Sequence, residues 1–230
     1  MLDLHGFGPA LIEGTWMTLR LSLASVALGL LFGLLGATAR TSNNLVLRGM
    51  GGFYTSVVRG IPETLWVLMA YFGTVSTMNW IGGYFGNPYL TLSPFIAGTI
   101  ALALCFGAYA AEVFRGALLS IAPGQREAGL ALGMSPMRIF WRITLPQLWR
   151  VALPGLGNLY LILLKDTALV SLITLEEIMR KAQVAANATK EPFTFYFMAA
   201  LIYLGLTVII MAVLQWLESR ANRGFTRTEL

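Results

Sequence analysis

Residues Thr64 to Ala111 form a run of 48 residues without one charged side chain, and Phe193 to Leu217 form a second run of 25. A helix rises about 1.5 Å per residue and a bilayer's hydrocarbon core is about 30 Å thick, so about 20 apolar residues cross it. The longer run exceeds one crossing, and Gly82, Gly83, Gly86, Asn87 and Pro88 fall inside it. Glycine and proline punctuate helices, so that run divides in two. Thr15 to Ala39 and Val151 to about Leu175 are long enough as well. The chain is therefore expected to be an all-α, polytopic membrane protein. Its five spans fall at about residues 15–39, 61–81, 93–115, 151–175 and 193–217. Composition agrees: 57% of residues are hydrophobic and 12% charged, about half the charge of a soluble domain. Disorder is excluded, because it needs low hydrophobicity and high charge.

The basic residues are unevenly placed. Eleven Lys or Arg lie in residues 40–59, 115–150 and the tail from 218, against three in the alternate loops: Arg180, Lys181 and Lys190. By the positive-inside bias, residues 1–14 are expected outside, in the periplasm, and the 218–230 tail in the cytoplasm. The 82–92 turn and the 176–192 loop face outward. The first segment lacks a basic leader and runs long for a signal peptide, so it is expected to stay as a span. Trp16, Trp80, Trp141, Trp149 and Trp216 mostly fall near span ends, as an interfacial belt places them. A net charge of +5 distributed in this way points to a bilayer and not to nucleic acid.

Several chemistries are unsupported. Cys105 is the only cysteine and His5 the only histidine, which leaves no intrachain disulfide, no metal site and no Ser-His pair. No catalytic residue is expected. The chain carries no G-x-x-x-x-G-K-[ST] loop, so it does not cradle ATP phosphates itself.

One inner loop has its own organisation. After the third span, Pro123 and Gly124 interrupt the helix, Gln125 to Leu132 favours a helix, and Gly133 caps it. Ser135-Pro136 starts an amphipathic segment that is expected to stop at Thr144-Leu145-Pro146. The outcome is a helix–Gly–helix elbow over 118–146, with Ala128, Gly129 and Gly133 as a small-residue ridge that another surface can approach closely. On its own, such an elbow is either an interfacial helix pair or a docking element. Glu127-Ala128-Gly129, Gly133, Ile143 and Leu145-Pro146 follow the spacing EAA-x3-G-x9-I-x-LP at every position but the third, where Gly129 replaces alanine. This resembles the loop by which permease subunits of bacterial ATP-binding-cassette importers dock onto their ATPases. Arg59-Gly60-Ile61-Pro62, Ala111 to Gly116 and Leu164 to Leu169 resemble the polar amino-acid branch. The Gly14-Thr15 opening and Gly224 to Arg227 look most like the histidine/lysine/arginine/ornithine subunits.

The resemblance implies a type I importer permease fold in the bacterial inner membrane, with Gly124, Glu127, Ala128, Gly129, Gly133 and Pro146 at the ATPase dock. It implies no cofactor in this chain, with ATP and Mg on a separate ATPase. The implied partners are two ATPase subunits, a second permease subunit (a paralogue, giving a heterodimer) and a periplasmic amino-acid-binding protein. The implied cargo is a polar, basic amino acid. A gradient-coupled secondary transporter or channel is the alternative, with uptake that does not need ATP.

Lys165 and Asp166 lie inside the fourth apolar stretch, where each charge costs about 2.5–3.5 kcal/mol at a helix centre. Helix neighbours do not face each other, so the two seek different partners or the helix breaks there. With Thr167 they are candidates for the substrate pathway, and a structural interhelical pair is the other reading. Glu112 and Arg115 stand three apart on one helix face, as an ion pair or a gate latch; Arg59 joins them as a structural or gate candidate.

Overall fold

The computed structural model describes residues 4–84 and 93–222, and among them every regular element is helical. Helix α1 spans Gly8–Arg40, α2 Leu45–Gly60, α3 Glu63–Leu68 and α4 Thr74–Tyr84, the last two joined by a π-helical turn at Met69–Gly73. Helix α5 covers Pro94–Ser120, α6 Pro123–Ala131, α7 Pro136–Ile139 and α8 Leu145–Asp166, with a second π turn at Phe140–Thr144. A 3-10 segment, Thr167–Ile173, leads to α9, Ile178–Thr189, and α10, Pro192–Ala221. The glycine- and proline-rich turn falls largely at 85–92, and the Gly224–Arg227 resemblance lies in the tail; both are outside the described residues.

Four helical stretches of the described residues are long and apolar enough to cross a membrane: Gly8–Arg40, Pro94–Ser120, Pro136–Ile173 and Pro192–Ala221. The region expected as the second span, 61–81, is helical from Glu63 onward, where α3, the π turn and α4 follow one another without a break. Most of segment 40–59 is also helical, as α2. Asn44 starts α2 by accepting from the amides of Val46 and Leu47. The second half of α2 lies along α5, where the Tyr54 hydroxyl donates to the Leu104 carbonyl at 2.8 Å. Pro62 ends α2, because the residue before a proline leaves the helical region.

The tightest packing joins α1 to α5. A Cβ added at Gly33 would stand 2.7 Å from the Ala110 Cβ, one at Gly29 2.7 Å from Phe106, and one at Gly36 3.0 Å from Ala111. Three glycines about a turn apart, two of them facing alanines, let two membrane helices close to backbone contact. This contact fixes α5, the helix that carries Tyr109 and Glu112. Helix α9 packs against α1 and α10, and its Lys181 pairs with Glu176 at 2.7 Å and with Glu13 of α1 at 3.5 Å. Helix α10 buries only Phe195 and Ala199 and leaves a long apolar surface uncovered.

The expected stop at Thr144-Leu145-Pro146 is not observed, since the helix runs through it. The π turn Phe140–Thr144 ends two residues before Pro146 and widens the helix where the proline ring would otherwise meet the preceding turn. The Gln147 side-chain amide donates to the Ile143 carbonyl at 3.1 Å within this distorted stretch.

Candidate functional site

Three places gather the residues that matter. The first is a cavity of about 190 Å³ lined by Glu63, Leu102, Cys105, Phe106, Tyr109, Leu159, Ile162, Leu163 and Asp166. Helix α3 contributes Glu63 at its first residue, α5 contributes Tyr109, and α8 contributes Asp166 at its last. The Tyr109 hydroxyl donates to Glu63 Oε1 at 3.1 Å. Two carboxylates thus converge in an otherwise apolar recess, and no Lys or Arg is part of the lining. A recess of that charge favours a guanidinium or ammonium group.

Lys165 and Asp166 do separate. Asp166 faces the acidic cavity, while Lys165 lines a different one, about 350 Å³, with Met179, Tyr196 and Tyr203. The α-helix also gives way to the 3-10 segment immediately after Asp166. Thr167 is outside both linings: it is buried, donates to the Leu164 carbonyl at 2.6 Å and lies 3.4 Å from the Tyr203 hydroxyl. Glu63 and Tyr109 were not singled out from the sequence. The available signal was a lone carboxylate, four residues after Arg59, at the head of an apolar run.

The second place is an ion cluster one turn further along α5. Glu112 pairs with Arg115 at 3.0 Å, as the three-residue spacing leads one to expect, and with Arg59 at 3.9 Å. Arg40, from the end of α1, makes a direct ion pair with the same carboxylate and donates to Thr55 at 3.2 Å. One acid thereby ties α1, α2 and α5. The Arg59 guanidinium also lies 5.2 Å from the centroid of the Tyr109 ring, which connects the cluster to the cavity wall.

The third place is the elbow. Helix α6 begins with Pro123 at its first turn, and Gly124 stands beside it in open space. Gly133 has φ +72°, the left-handed conformation that glycine adopts without strain. Its amide donates to Leu130 and that of Met134 to Gly129, the paired bonds of a Schellman cap. Ser135 Oγ caps α7 by accepting from Arg138. The small residues do not form one ridge, however. Ala128 is exposed, but Gly129 is buried, and a Cβ there would stand 2.9 Å from Ile139. Gly129 closes the elbow on itself, while Glu127 and Ala128 face outward. Glu127 borders a recess of about 670 Å³ between α6 and the helix through Ile139, Phe140 and Thr144. Pro146 is exposed in the first turn of α8.

An intramembrane acidic cavity, an ion cluster beneath it and an exposed elbow between two long spans describe a solute permease. The chain belongs to the family of binding-protein-dependent transport system inner membrane components, whose model matches residues 28–223. It is 41% identical, over 98% of both chains, to an octopine transport system permease protein of Rhizobium meliloti. It is 39% identical to a histidine/lysine/arginine/ornithine transport system permease protein of Salmonella typhimurium, over 99% of this chain and 100% of that one. A crystal structure of an amino acid ABC transporter with histidines superposes with TM-score 0.76 at 32% identity, over 92% of this chain and 94% of the other. The protein is thus a multi-pass inner-membrane subunit with the type I importer fold.

Proposed function

We propose that this chain is one permease subunit of an ATP-driven importer for basic L-amino acids, with the Glu63–Asp166 cavity as part of the passage. The convergence of two carboxylates on one apolar cavity carries this reading. The names of the relatives, which include lysine, arginine and ornithine, support the same cargo class. Carboxylates at membrane depth are costly unless a cation meets them, and a basic side chain arriving from outside does so.

The elbow is the element through which ATPase subunits act. Glu127 and Ala128 present the contact, Gly124 leaves space beside it, and Gly129 and Gly133 hold its shape. Pro146 fixes the start of α8, so a push on α6 reaches the cavity through α8 and through α5. ATP and Mg bind on those ATPases, and this chain itself is not an enzyme. An external binding protein delivers substrate to the outer face, on the side of α9. The N-terminus is periplasmic and the tail cytoplasmic. A second permease subunit, a paralogue of this one, completes the passage against the uncovered face of α10. Arg59, Glu112 and Arg115 close the inner side.

The deciding experiment is arginine uptake into proteoliposomes holding the complete complex. Uptake is expected to require ATP and binding protein, and to fall at least about tenfold in Asp166→Asn while the complex still purifies intact. Uptake driven by a cation gradient without ATP would overturn the reading.

A further inference from the structure

We propose that Arg59 binds the α-carboxylate of the transported amino acid, and that it leaves Glu112 to do so. The inference rests on the reading of the Glu63–Asp166 cavity as the passage for a basic amino acid. A basic amino acid brings two cationic groups and one carboxylate. The cavity lining offers two carboxylates, Glu63 and Asp166, and no cation. The substrate's carboxylate therefore needs a partner just beyond the lining, because a charge left unpaired at membrane depth is strongly disfavoured.

Two basic residues come close to the site. Lys165 is adjacent to Asp166 in sequence but lines the other cavity, with Tyr196 and Tyr203. Arg59 lies at the cavity wall itself: its guanidinium is 5.2 Å from the centroid of the Tyr109 ring, and the Tyr109 hydroxyl is bound to Glu63. It is also the least firmly held member of its cluster. Its Nη1 stands 3.9 Å from Glu112 Oε1, at the limit of an ion pair, whereas Arg115 Nε is 3.0 Å from Oε2 and Arg40 is in direct contact. The Arg59 side chain is 44% exposed, the most open of the four.

Glu112 is surrounded by three guanidinium groups and remains paired when one departs. The exchange swaps one carboxylate partner of Arg59 for another, so no charge is left uncompensated. A planar guanidinium can hold the substrate carboxylate in two parallel hydrogen bonds, which a single 3.9 Å contact does not provide. Arg59 sits two residues before the junction of α2 and α3, at Ile61–Pro62. Its departure removes the tie between α2 and Glu112 on the inner side. Occupation of the cavity thereby loosens the end through which the substrate leaves.

The test compares arginine with agmatine, which keeps the guanidinium and an amine but lacks the carboxylate. Binding of each is measured by calorimetry to the complete permease–ATPase complex in nanodiscs, without binding protein. The wild-type complex is expected to bind arginine at least about tenfold more tightly than agmatine. Arg59→Gln is expected to abolish that preference by weakening arginine alone, and Arg59→Lys to restore part of it. An Arg59→Gln complex that keeps the wild-type ratio overturns the inference and leaves the cavity reading standing. Equal loss of both ligands also overturns it, since that marks a structural role. A wild-type complex that binds neither ligand overturns the cavity reading, and this inference with it.

Discussion

Tyr109 of α5 donates its hydroxyl to Glu63 of α3 at 3.1 Å, and the two share their cavity with Asp166 of α8. Three helices thus meet around a pair of carboxylates that no lysine or arginine in the lining neutralises. The hydrogen bond orients Glu63 within the cavity it shares with Asp166.

Glu63→Gln is expected to raise the KM for arginine about tenfold or more, comparable to Asp166→Asn, because each removes a charge-assisted contact. Tyr109→Phe is expected to act several-fold more weakly, since the carboxylate remains and only its orientation is relaxed. Initial uptake rates over a range of arginine concentrations separate the cases. A Tyr109→Phe effect as large as that of Glu63→Gln counts against the ordering.

Gly133 is expected to tolerate Asn and reject Val. At φ +72° nothing crowds a side chain, so the difference is purely one of backbone conformation. Asn visits the left-handed region, while a β-branched residue there is strained by about 1–3 kcal/mol. The measurement is the amount of ATPase subunit that co-purifies with a tagged permease. Equal recovery with Val and Asn would refute the assignment of the elbow's shape to this position.

Gly33→Val should destabilise the subunit by about 1–3 kcal/mol or more, since a Cβ there meets the Ala110 Cβ at 2.7 Å across the α1–α5 contact. Gly52 provides the contrast: nothing lies within 4 Å of its Cβ position, so Gly52→Ala should be neutral or stabilising by up to about 1 kcal/mol. Melting temperatures of the purified complexes compare the two directly, and a similar loss in both contradicts this account of α1–α5 packing.

The long uncharged runs made the membrane class legible, because nothing but lipid tolerates so much contiguous apolar surface. The elbow was legible from Pro123, Gly133 and Ser135, whose local conformational preferences survive in the fold. Features that depend on a distant partner were not. Gly129 reads as part of an outward ridge until Ile139 is seen against it. Pro146 reads as a stop because the π turn that accommodates it is not a local preference of Phe140–Thr144. Glu63 looks like an ordinary first-turn acid, and only the fold brings Tyr109 and Asp166, 46 and 103 residues away, to the same cavity.

Glu177, the N-cap of α9 and outside the long apolar helices, leads to the last prediction. Its side chain is fully buried; Oε2 accepts from the Met179 amide at 2.9 Å and the Tyr203 hydroxyl at 3.0 Å, and Oε1 accepts from the Arg180 amide at 2.7 Å. No cation pairs with it among the contacts of the described residues, and Thr18 of α1 closes the same junction by accepting from the Ile178 amide. Burial outweighs the three hydrogen bonds and pushes the carboxyl up from an ordinary 4.5 to about 7. The folded protein therefore holds this proton more tightly than the unfolded chain. The stability that follows is fully present below about pH 4.5 and is lost as the pH rises through about 7. Glu177→Gln removes the titration and keeps an oxygen to accept from the α9 amides. The wild-type complex should lose a few degrees more in melting temperature between pH 5 and pH 8 than the variant does. The two proteins differ at no other residue, so the difference isolates Glu177. Parallel melting profiles across that range would show that the buried carboxyl does not titrate there.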